Sequence, residues 1–193
     1  MAKLYFRYGA MNSGKSTGLL QAAFNYEERG QRVLLAKPGV DTKGDQDVVS
    51  RLGVTRTVDL VFAPDADVRQ MVLAAGDVDC LLVDEAQFLA AGQVDDLLRL
   101  AVLDGIPVLA YGIRTDFRTE AFPGSARLME LAHTLEELKT ICRCGRKAMF
   151  NARLVDGVFV FDGSQVAIDG VDVTYESLCG NCYLAESGGR LDG

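Results

Sequence analysis

The chain has 193 residues, enough for one medium domain with a sizeable core or for one domain and a small appendage. Its 49% hydrophobic and 24% charged residues suit a globular protein, and no apolar run reaches the length of a membrane span. A net charge of −7 without a dense Lys/Arg run argues against an extended nucleic-acid track, although a local anion site needs no such run.

Residues 4–8 read as a short buried strand. Gly9-Ala10-Met11-Asn12-Ser13-Gly14-Lys15-Ser16 follows and fits G-x-x-x-x-G-K-[ST]. The glycines let the backbone turn so that successive N–H groups face phosphate oxygens. Lys15 brings a cation, Ser16 a hydroxyl for Mg²⁺, and the next helix the positive end of its dipole. That helix is expected over residues 17–29, with Gly30 as its C-cap. Residues 32–37 read as a strand ended by Pro38. Residues 40–53 are polar and glycine-bearing and read as a loose loop. A strand over 55–62 and a helix over 65–75 follow, the latter started by Pro64 and Asp65 and stopped by Gly76.

Cys80-Leu81-Leu82-Val83-Asp84-Glu85 is a continuous apolar run ending in two carboxylates. Strands buried on both faces read this way, and a carboxylate at the C-terminal end of one sits where open α/β sheets bind ligands. A helix over 93–103, a strand over 106–111, a loop over 112–124 and a helix over 125–132 complete the alternation. The pattern predicts an α/β fold with a mostly parallel sheet flanked by helices.

Beyond Leu138 the runs become β-like (147–155, 158–161 and 166–168), and four of the five cysteines gather there. The expected organisation is a nucleotide-binding α/β domain over 1–138, a small metal-stapled unit over 139–184 and a flexible tail over 185–193. No charged region followed by an apolar core opens the chain, so a cytoplasmic location is expected, where cysteines serve metals more often than disulfides.

Three constellations carry chemistry. Asp84 ends a Walker B type strand and is expected to hold Mg²⁺ opposite Ser16. Glu85 beside it is the expected general base, for a substrate hydroxyl in a kinase or for water in an ATPase; Asp-Glu alone does not separate the two. Asp84-Glu85-Ala86-Gln87 also mimics a helicase box, but about 50 residues remain after the first domain, too few for the second such domain a helicase needs. Cys142 and Cys144 form one hook and Cys179 and Cys182 another, a four-thiolate set suited to structural Zn²⁺ with no open position. Cys80 reads as core. His133, the lone histidine, reads as a surface or C-cap residue. Phe62, Phe159 and Phe161 read as core. A zinc ribbon that binds nucleic acid is disfavoured, because residues 144–182 carry only Arg146, Lys147 and Arg153 against five acidic residues.

In order along the chain, these motifs resemble one family, the type II thymidine kinases, bacterial-like, with a phosphate loop and a zinc-bound lasso. Asp84-Glu85-Ala86-Gln87-Phe88 is similar to the family's D-E-[AG]-Q-F, and Tyr111-Gly112-Ile113-Arg114-Thr115-Asp116-Phe117 to its Y-G-L-x-x-D-F. Cys144-Gly145-Arg146-Lys147-Ala148 and Tyr175-Glu176-Ser177-Leu178-Cys179 resemble its zinc hooks. The resemblance implies a RecA-like P-loop domain, a zinc-ribbon lasso domain, and transfer of the γ-phosphate of ATP to the 5′-hydroxyl of thymidine. Deoxyuridine is expected to be tolerated. Carried over, Gly9 to Ser16, Asp84, Glu85, Ala86 and Gln87 handle ATP and Mg²⁺, with Glu85 as base. Met11, Phe88, Phe117, Val171, Val173 and Tyr175 contact the nucleoside. A homotetramer and feedback inhibition by thymidine triphosphate are also implied, with neither nucleic-acid nor membrane partners. The chain departs from the family at Asp41-Thr42-Lys43, where Asp-x-Arg is frequent, so Lys43 lacks the planar fork of an Arg. It departs again at the Cys-x-Cys hook.

Overall fold

The computed structural model describes residues 1–39, 47–49, 53, 55–165 and 172–191. Six parallel strands form the main sheet in the order β5-β2-β6-β7-β1-β8. These are β1 (Leu4–Tyr8), β2 (Val33–Pro38), β5 (Leu60–Phe62), β6 (Cys80–Val83), β7 (Val108–Gly112) and β8 (Thr134–Glu137). The expected parallel α/β architecture is therefore present.

The central strands alternate between two cores. Leu34, Ala36, Leu81, Val83, Val108 and Ala110 face one cluster, while Val33, Leu35, Cys80, Leu82, Leu109 and Tyr111 face the other. Both faces are apolar because helices cover both, which is why Cys80–Val83 shows no polar alternation. Helix α1 (Lys15–Glu27) covers the Cys80 face through Leu19 and Ala23. Helices α2 (Val68–Ala74), α3 (Ala91–Val102) and α4 (Pro123–Leu131) lie on the other side, contributing Val68, Val72, Val94, Leu97, Leu100 and Leu128.

Local chemistry sets the helix ends. The Asp67 carboxylate accepts from Gln70 N–H at 2.9 Å and caps α2, two residues later than the expected start at Asp65. Gln93 Oε1 accepts from Ala90 N–H at 3.0 Å at the start of α3, and α4 opens with Pro123 in its first turn. Gly30 has φ of 72° and its N–H bonds the Glu27 carbonyl at 2.9 Å, ending α1.

Two expectations change. The strand read over 55–62 is two strands: β4 (Thr55–Thr57) pairs antiparallel with β3 (Asp47–Val49), and β5 joins the main sheet beside β2. The chain turns at Asp59, whose carboxylate accepts from Leu35 N–H at 2.7 Å, so one periodic run serves two sheets. Part of the loop read over 40–53 is consequently strand β3, while Asp41, Thr42 and Lys43 lie outside the described residues.

After β8 come β9 (Thr140–Ile141) and β10 (Lys147–Ala148), an antiparallel pair. A three-stranded antiparallel sheet follows, ordered β12-β11-β13, from β11 (Phe150–Val155), β12 (Val158–Val160) and β13 (Val173–Leu178). The run read over 147–155 breaks at Met149, whose N–H bonds the Leu178 carbonyl at 2.9 Å. The strand read over 166–168 lies outside the described residues. Helix α5 (Gly180–Glu186) takes in Ala185 and Glu186 of the segment read as a tail, and Ser187 is buried with its hydroxyl on the Arg190 carbonyl. A small core of Ala148, Ala152, Phe161, Leu178 and Tyr183 closes around Cys142 and Cys179. No described helix is long and apolar enough to cross a membrane.

Candidate active site

Strand β7 lies between β6 and β1, so the chain ends of all three emerge side by side. The phosphate loop leaves β1 at Gly9, whose N–H bonds the Gly112 carbonyl at 3.3 Å. A Cβ on Gly9 would lie 2.4 Å from both the Leu138 carbonyl and Ser13 Oγ, so no larger residue fits. Asn12 and Gly14 adopt φ of 67° and 79°, which curls the loop. Lys15 Nζ donates to the Ala10 carbonyl at 3.0 Å and lies 3.4 Å from that of Gly9, folded back over the loop it would share with a phosphate.

Ser16 Oγ donates to Asp84 Oδ2 at 3.4 Å, joining the two sequence-predicted Mg²⁺ residues across the sheet edge. Asp84 is buried. Burial first, then the neighbouring Glu85, pushes its carboxyl up to about 6, against the pull of the Glu85 N–H, Lys15 and Ser16. A carboxylate and a hydroxyl are hard oxygen donors, the set that Mg²⁺ takes with phosphate oxygens. A cation there would restore the ionised form.

Glu85 is exposed and adopts φ of 49°, a left-handed conformation costly for a side chain with a Cβ. The kink turns the chain from β6 into a single 3₁₀ turn, Ala86–Phe88. Gln87 is buried. Its amide nitrogen donates to Glu85 Oε2, and its Oε1 accepts from Ile113 N–H at 3.3 Å. A Cβ on Gly112 would meet Gln87 Oε1 at 2.7 Å, so the glycine makes room for this strut. Ala86 sits with its side chain in the core, and the first turn of α4 presses against its carbonyl at Gly124.

A cavity of about 260 Å³ opens beside Glu85, near the lower end for small-molecule pockets. Phe88, Phe117, Phe122, Tyr175, Ile113 and Met11 line its apolar walls; Glu85, Gln87, Asp116, Asn151 and Gln165 supply polar groups. Phe88 meets Phe122 edge to face with centroids 5.4 Å apart. Of the residues expected at a nucleoside, Met11, Phe88, Phe117 and Tyr175 are therefore together. Val173 is not among the lining residues: it pairs with Val155 on β13, two residues and one pleat repeat before Tyr175. Val171 lies outside the described residues.

Several lining or supporting groups had weak sequence signals. Asn151 Oδ1 accepts from Met11 N–H at 2.7 Å, its Nδ2 donates to the Thr115 carbonyl at 3.3 Å, and the Ser177 hydroxyl donates to the Met11 carbonyl. Together they hold the phosphate loop from the small β sheet. Asp116 is buried and accepts from the Arg118 and Glu120 N–H groups at 2.8 and 3.0 Å, fixing the loop that carries Phe117. Tyr183 donates to the Phe117 carbonyl at 2.7 Å. Asn151 and Arg153 interrupt an otherwise apolar strand, and that interruption was the one available clue. His133 is exposed, and its Nδ1 accepts from Leu4 N–H at 3.0 Å.

The four late cysteines converge, with all four sulfur atoms within 4.8 Å of one another. Cys144 and Cys179 sulfurs are 3.5 Å apart, far beyond disulfide bonding and near the roughly 3.8 Å edge of a tetrahedron with Zn–S of about 2.3 Å. Burial opposes ionisation of Cys142, yet the N–H groups of Cys144 and Cys179 bring its thiol down to about 6. The Cys144 and Cys142 thiols push that of Cys182 up to about 12. Four adjacent thiols do not all ionise without a cation among them, and a soft divalent ion suits that donor set.

Comparisons with known proteins place the sequence in a family. A family model described as thymidine kinase matches residues 2–183. A thymidine kinase of Idiomarina loihiensis is 50% identical over 184 residues, 93% of this chain and 94% of its own. One of Ruegeria pomeroyi is 48% identical, covering 93% and 92%, and one of Enterobacteria phage T4 is 46% identical, covering 93% and 94%. A solved structure of Bacteroides Pif1 bound to ssDNA overlaps 70% of this chain and 38% of that one, at 14% identity and a TM-score of 0.38. Matched from residue 2 to residue 183 and close to half identical to several of its members, the chain belongs to the thymidine kinase family.

Proposed function

We infer that the protein is an ATP-dependent thymidine kinase. It transfers the γ-phosphoryl group of ATP to the 5′-hydroxyl of thymidine, giving thymidine monophosphate for pyrimidine deoxynucleoside salvage and DNA synthesis. The observation that carries the reading is the meeting of two sites at one carboxylate. Glu85 lines the aromatic cavity and also follows Asp84, which bonds Ser16 of the phosphate loop.

In this reading Gly9 to Ser16 cradle the triphosphate with main-chain N–H groups, and Lys15 turns from the Ala10 carbonyl to the β- and γ-phosphates. Ser16 and Asp84 would hold Mg²⁺, which would supply positive charge against the phosphate oxygens. Phe88 and Phe117 pack on the pyrimidine, with Tyr175 and Met11 completing the walls. The nucleoside's 5′-hydroxyl then faces Glu85. Gln87 occupies one carboxylate oxygen of Glu85 and orients it, and the carboxylate takes the hydroxyl proton as the oxygen attacks the γ-phosphorus, the bond from that phosphorus to the β–γ bridging oxygen breaks and ADP leaves. The apolar aromatic walls leave little room for water to compete as acceptor once a nucleoside fills the cavity.

Cys142, Cys144, Cys179 and Cys182 hold a structural Zn²⁺. It would supply rigidity to β13 and α5, with no open position for catalysis. The chain would divide into a phosphate-side unit over 1–138 and a zinc-binding unit that runs from 139 through helix α5. A homotetramer, a cytoplasmic location, feedback by thymidine triphosphate and tolerance of deoxyuridine rest on the family resemblance.

The test is transfer of label from γ-labelled ATP with Mg²⁺ to a panel of nucleosides. Labelled thymidine monophosphate, with little label on deoxycytidine or purine nucleosides, is the expected result. Free phosphate without any labelled nucleoside would replace the kinase reading with an ATPase.

A further inference from the structure

Arg153 is almost entirely buried, and among the described residues no carboxylate pairs with it. A guanidinium removed from water demands strong compensation. Here the compensation comes from the acceptor side of the site. The guanidinium carbon lies 3.7 Å from the centroid of the Phe117 ring. Nε donates to the Tyr175 hydroxyl at 3.1 Å, Nη1 to the Ser164 carbonyl at 2.8 Å and Nη2 to the Gln165 carbonyl at 2.9 Å. Phe117, Tyr175 and Gln165 all line the cavity, whereas Arg153 does not.

These walls come from three separate stretches of chain. Phe117 sits in the loop after β7, Gln165 follows β12, and Tyr175 lies on β13. Arg153 stands behind all of them on β11, the middle strand of the small sheet, directly paired with Tyr175 across the ladder. One planar cation thus fixes the tilt of an aromatic ring, the height of a phenol and the position of a carbonyl pair. A fork with five N–H donors does this, whereas an ammonium has neither the plane to stack nor the geometry to reach all three acceptors.

We propose that Arg153 is the positioning residue of the nucleoside pocket, setting the gap between Phe117 and Tyr175 into which the pyrimidine slides. The proposal rests on the thymidine kinase reading above. It separates the two substrates: among the described residues none of the Arg153 contacts belongs to the loop over Gly9 to Ser16, so the ATP side is indifferent to it.

Steady-state kinetics of the full-length protein test this, with thymidine and ATP varied in turn. Arg153→Met is expected to raise KM for thymidine about tenfold or more, while KM for ATP stays within about twofold. Arg153→Lys restores the charge but not the fork, and recovers only part of the loss. Tyr175→Phe, which removes a single acceptor, has a smaller effect that disappears in the Arg153→Met background, because the two share one interaction. Zinc content and the thermal midpoint are measured on each variant. A thymidine KM within about twofold of the parent in Arg153→Met, or in Arg153→Lys should the first not fold, overturns the proposal. Parallel rises in both KM values with a lowered thermal midpoint overturn it as well, showing Arg153 to be a general support. A parent protein that transfers nothing to thymidine refutes the kinase reading itself, an outcome distinct from an active parent with unaltered variants.

Discussion

The six-stranded sheet and the three-stranded sheet face each other across the same cavity and hold their shape by different means. In the larger one, Cys80–Val83 and its neighbours are buried on both faces, and helices on each side supply a core that includes Phe6, Phe62 and a set of leucines. In the smaller one the apolar cluster is modest, two of its members are Cys142 and Cys179, and much of the remaining order comes from Asn151, Arg153, Ser177 and Tyr183 bonding to other stretches of chain. A core of the first kind tolerates the loss of one polar contact. A unit of the second kind lacks the buried area to do so and depends on its cysteine cluster and its clamps. The loop over Gly9 to Ser16 draws its curl from backbone conformation at Asn12 and Gly14, with Asn151 and Ser177 gripping it only at Met11, whereas the cavity walls at Phe117 and Tyr175 are set by side chains arriving from elsewhere.

The sharpest way to break that contrast is to remove the metal hook. Replacing Cys179 and Cys182 with Ser is expected to release zinc and to abolish nucleoside phosphorylation, since structural zinc sites contribute on the order of 10 kcal/mol to folding of small units. The larger sheet should still fold and bind ATP, although more weakly, because Asn151 and Ser177 would no longer hold Met11. Metal analysis with nucleotide-binding and thymidine-turnover assays checks this; a zinc-free double variant of full activity would remove the structural-zinc claim.

Next in size is Glu85→Gln. The isosteric amide keeps the bond with Gln87 available but accepts no proton, so turnover should fall by about a hundred- to ten-thousandfold with ATP affinity little changed. Near-normal turnover in a single-turnover experiment would take the role of base away from Glu85.

Asn151→Ala probes the tie between the two halves. It strips Met11 N–H and the Thr115 carbonyl of their partner, at a cost of about 1–3 kcal/mol. Because Met11 belongs to the phosphate loop and Asn151 to the small sheet, KM values for ATP and thymidine should rise together. That pattern contrasts with the one-sided effect expected at Arg153, and an ATP KM left unaltered would show that the halves are held together by other contacts.

The smallest effect belongs to the large core. Burial pushes the Cys80 thiol up from 9.0 to about 11 and the Tyr26 hydroxyl up from 10.0 to about 12. Both groups stay protonated in the folded chain at pH values where the unfolded chain has lost those protons. Their contribution is full below about pH 9 and is lost as pH rises through 11 and 12. Urea midpoints measured across that range should fall more steeply in the parent than in Tyr26→Phe; equal slopes would mean that Tyr26 does not take part.

Much of this was legible in the residues. The turn over Gly9 to Ser16 is shaped largely by backbone conformation and near neighbours, so spacing alone made it legible. Asp84 and Glu85 were marked by the apolar run before them. The cysteine hooks were marked by their own spacing, and the structure brings the four sulfurs together. The run over 55–62 misled because its apolar pattern continues across a change of sheet at Asp59. Gln87, expected to border the nucleotide site, spans from Glu85 to Ile113 beside the cavity, an arrangement set by how closely Gly112 lets it approach.

By itself the sequence determined what depends on short range: the phosphate loop, the doubly buried strands, the carboxylate pair, the cysteine hooks and, through their order, the family. Tertiary structure alone decided which strand lies beside which, that Asn151 and Ser177 grip Met11 from 140 and 166 residues away, and that Arg153 stands behind Phe117 and Tyr175. The reason is physical. Periodicity says which face of an element is apolar, but the partner a buried polar group finds is set by packing between distant segments, where its desolvation must be answered by whatever donor or acceptor the fold brings near.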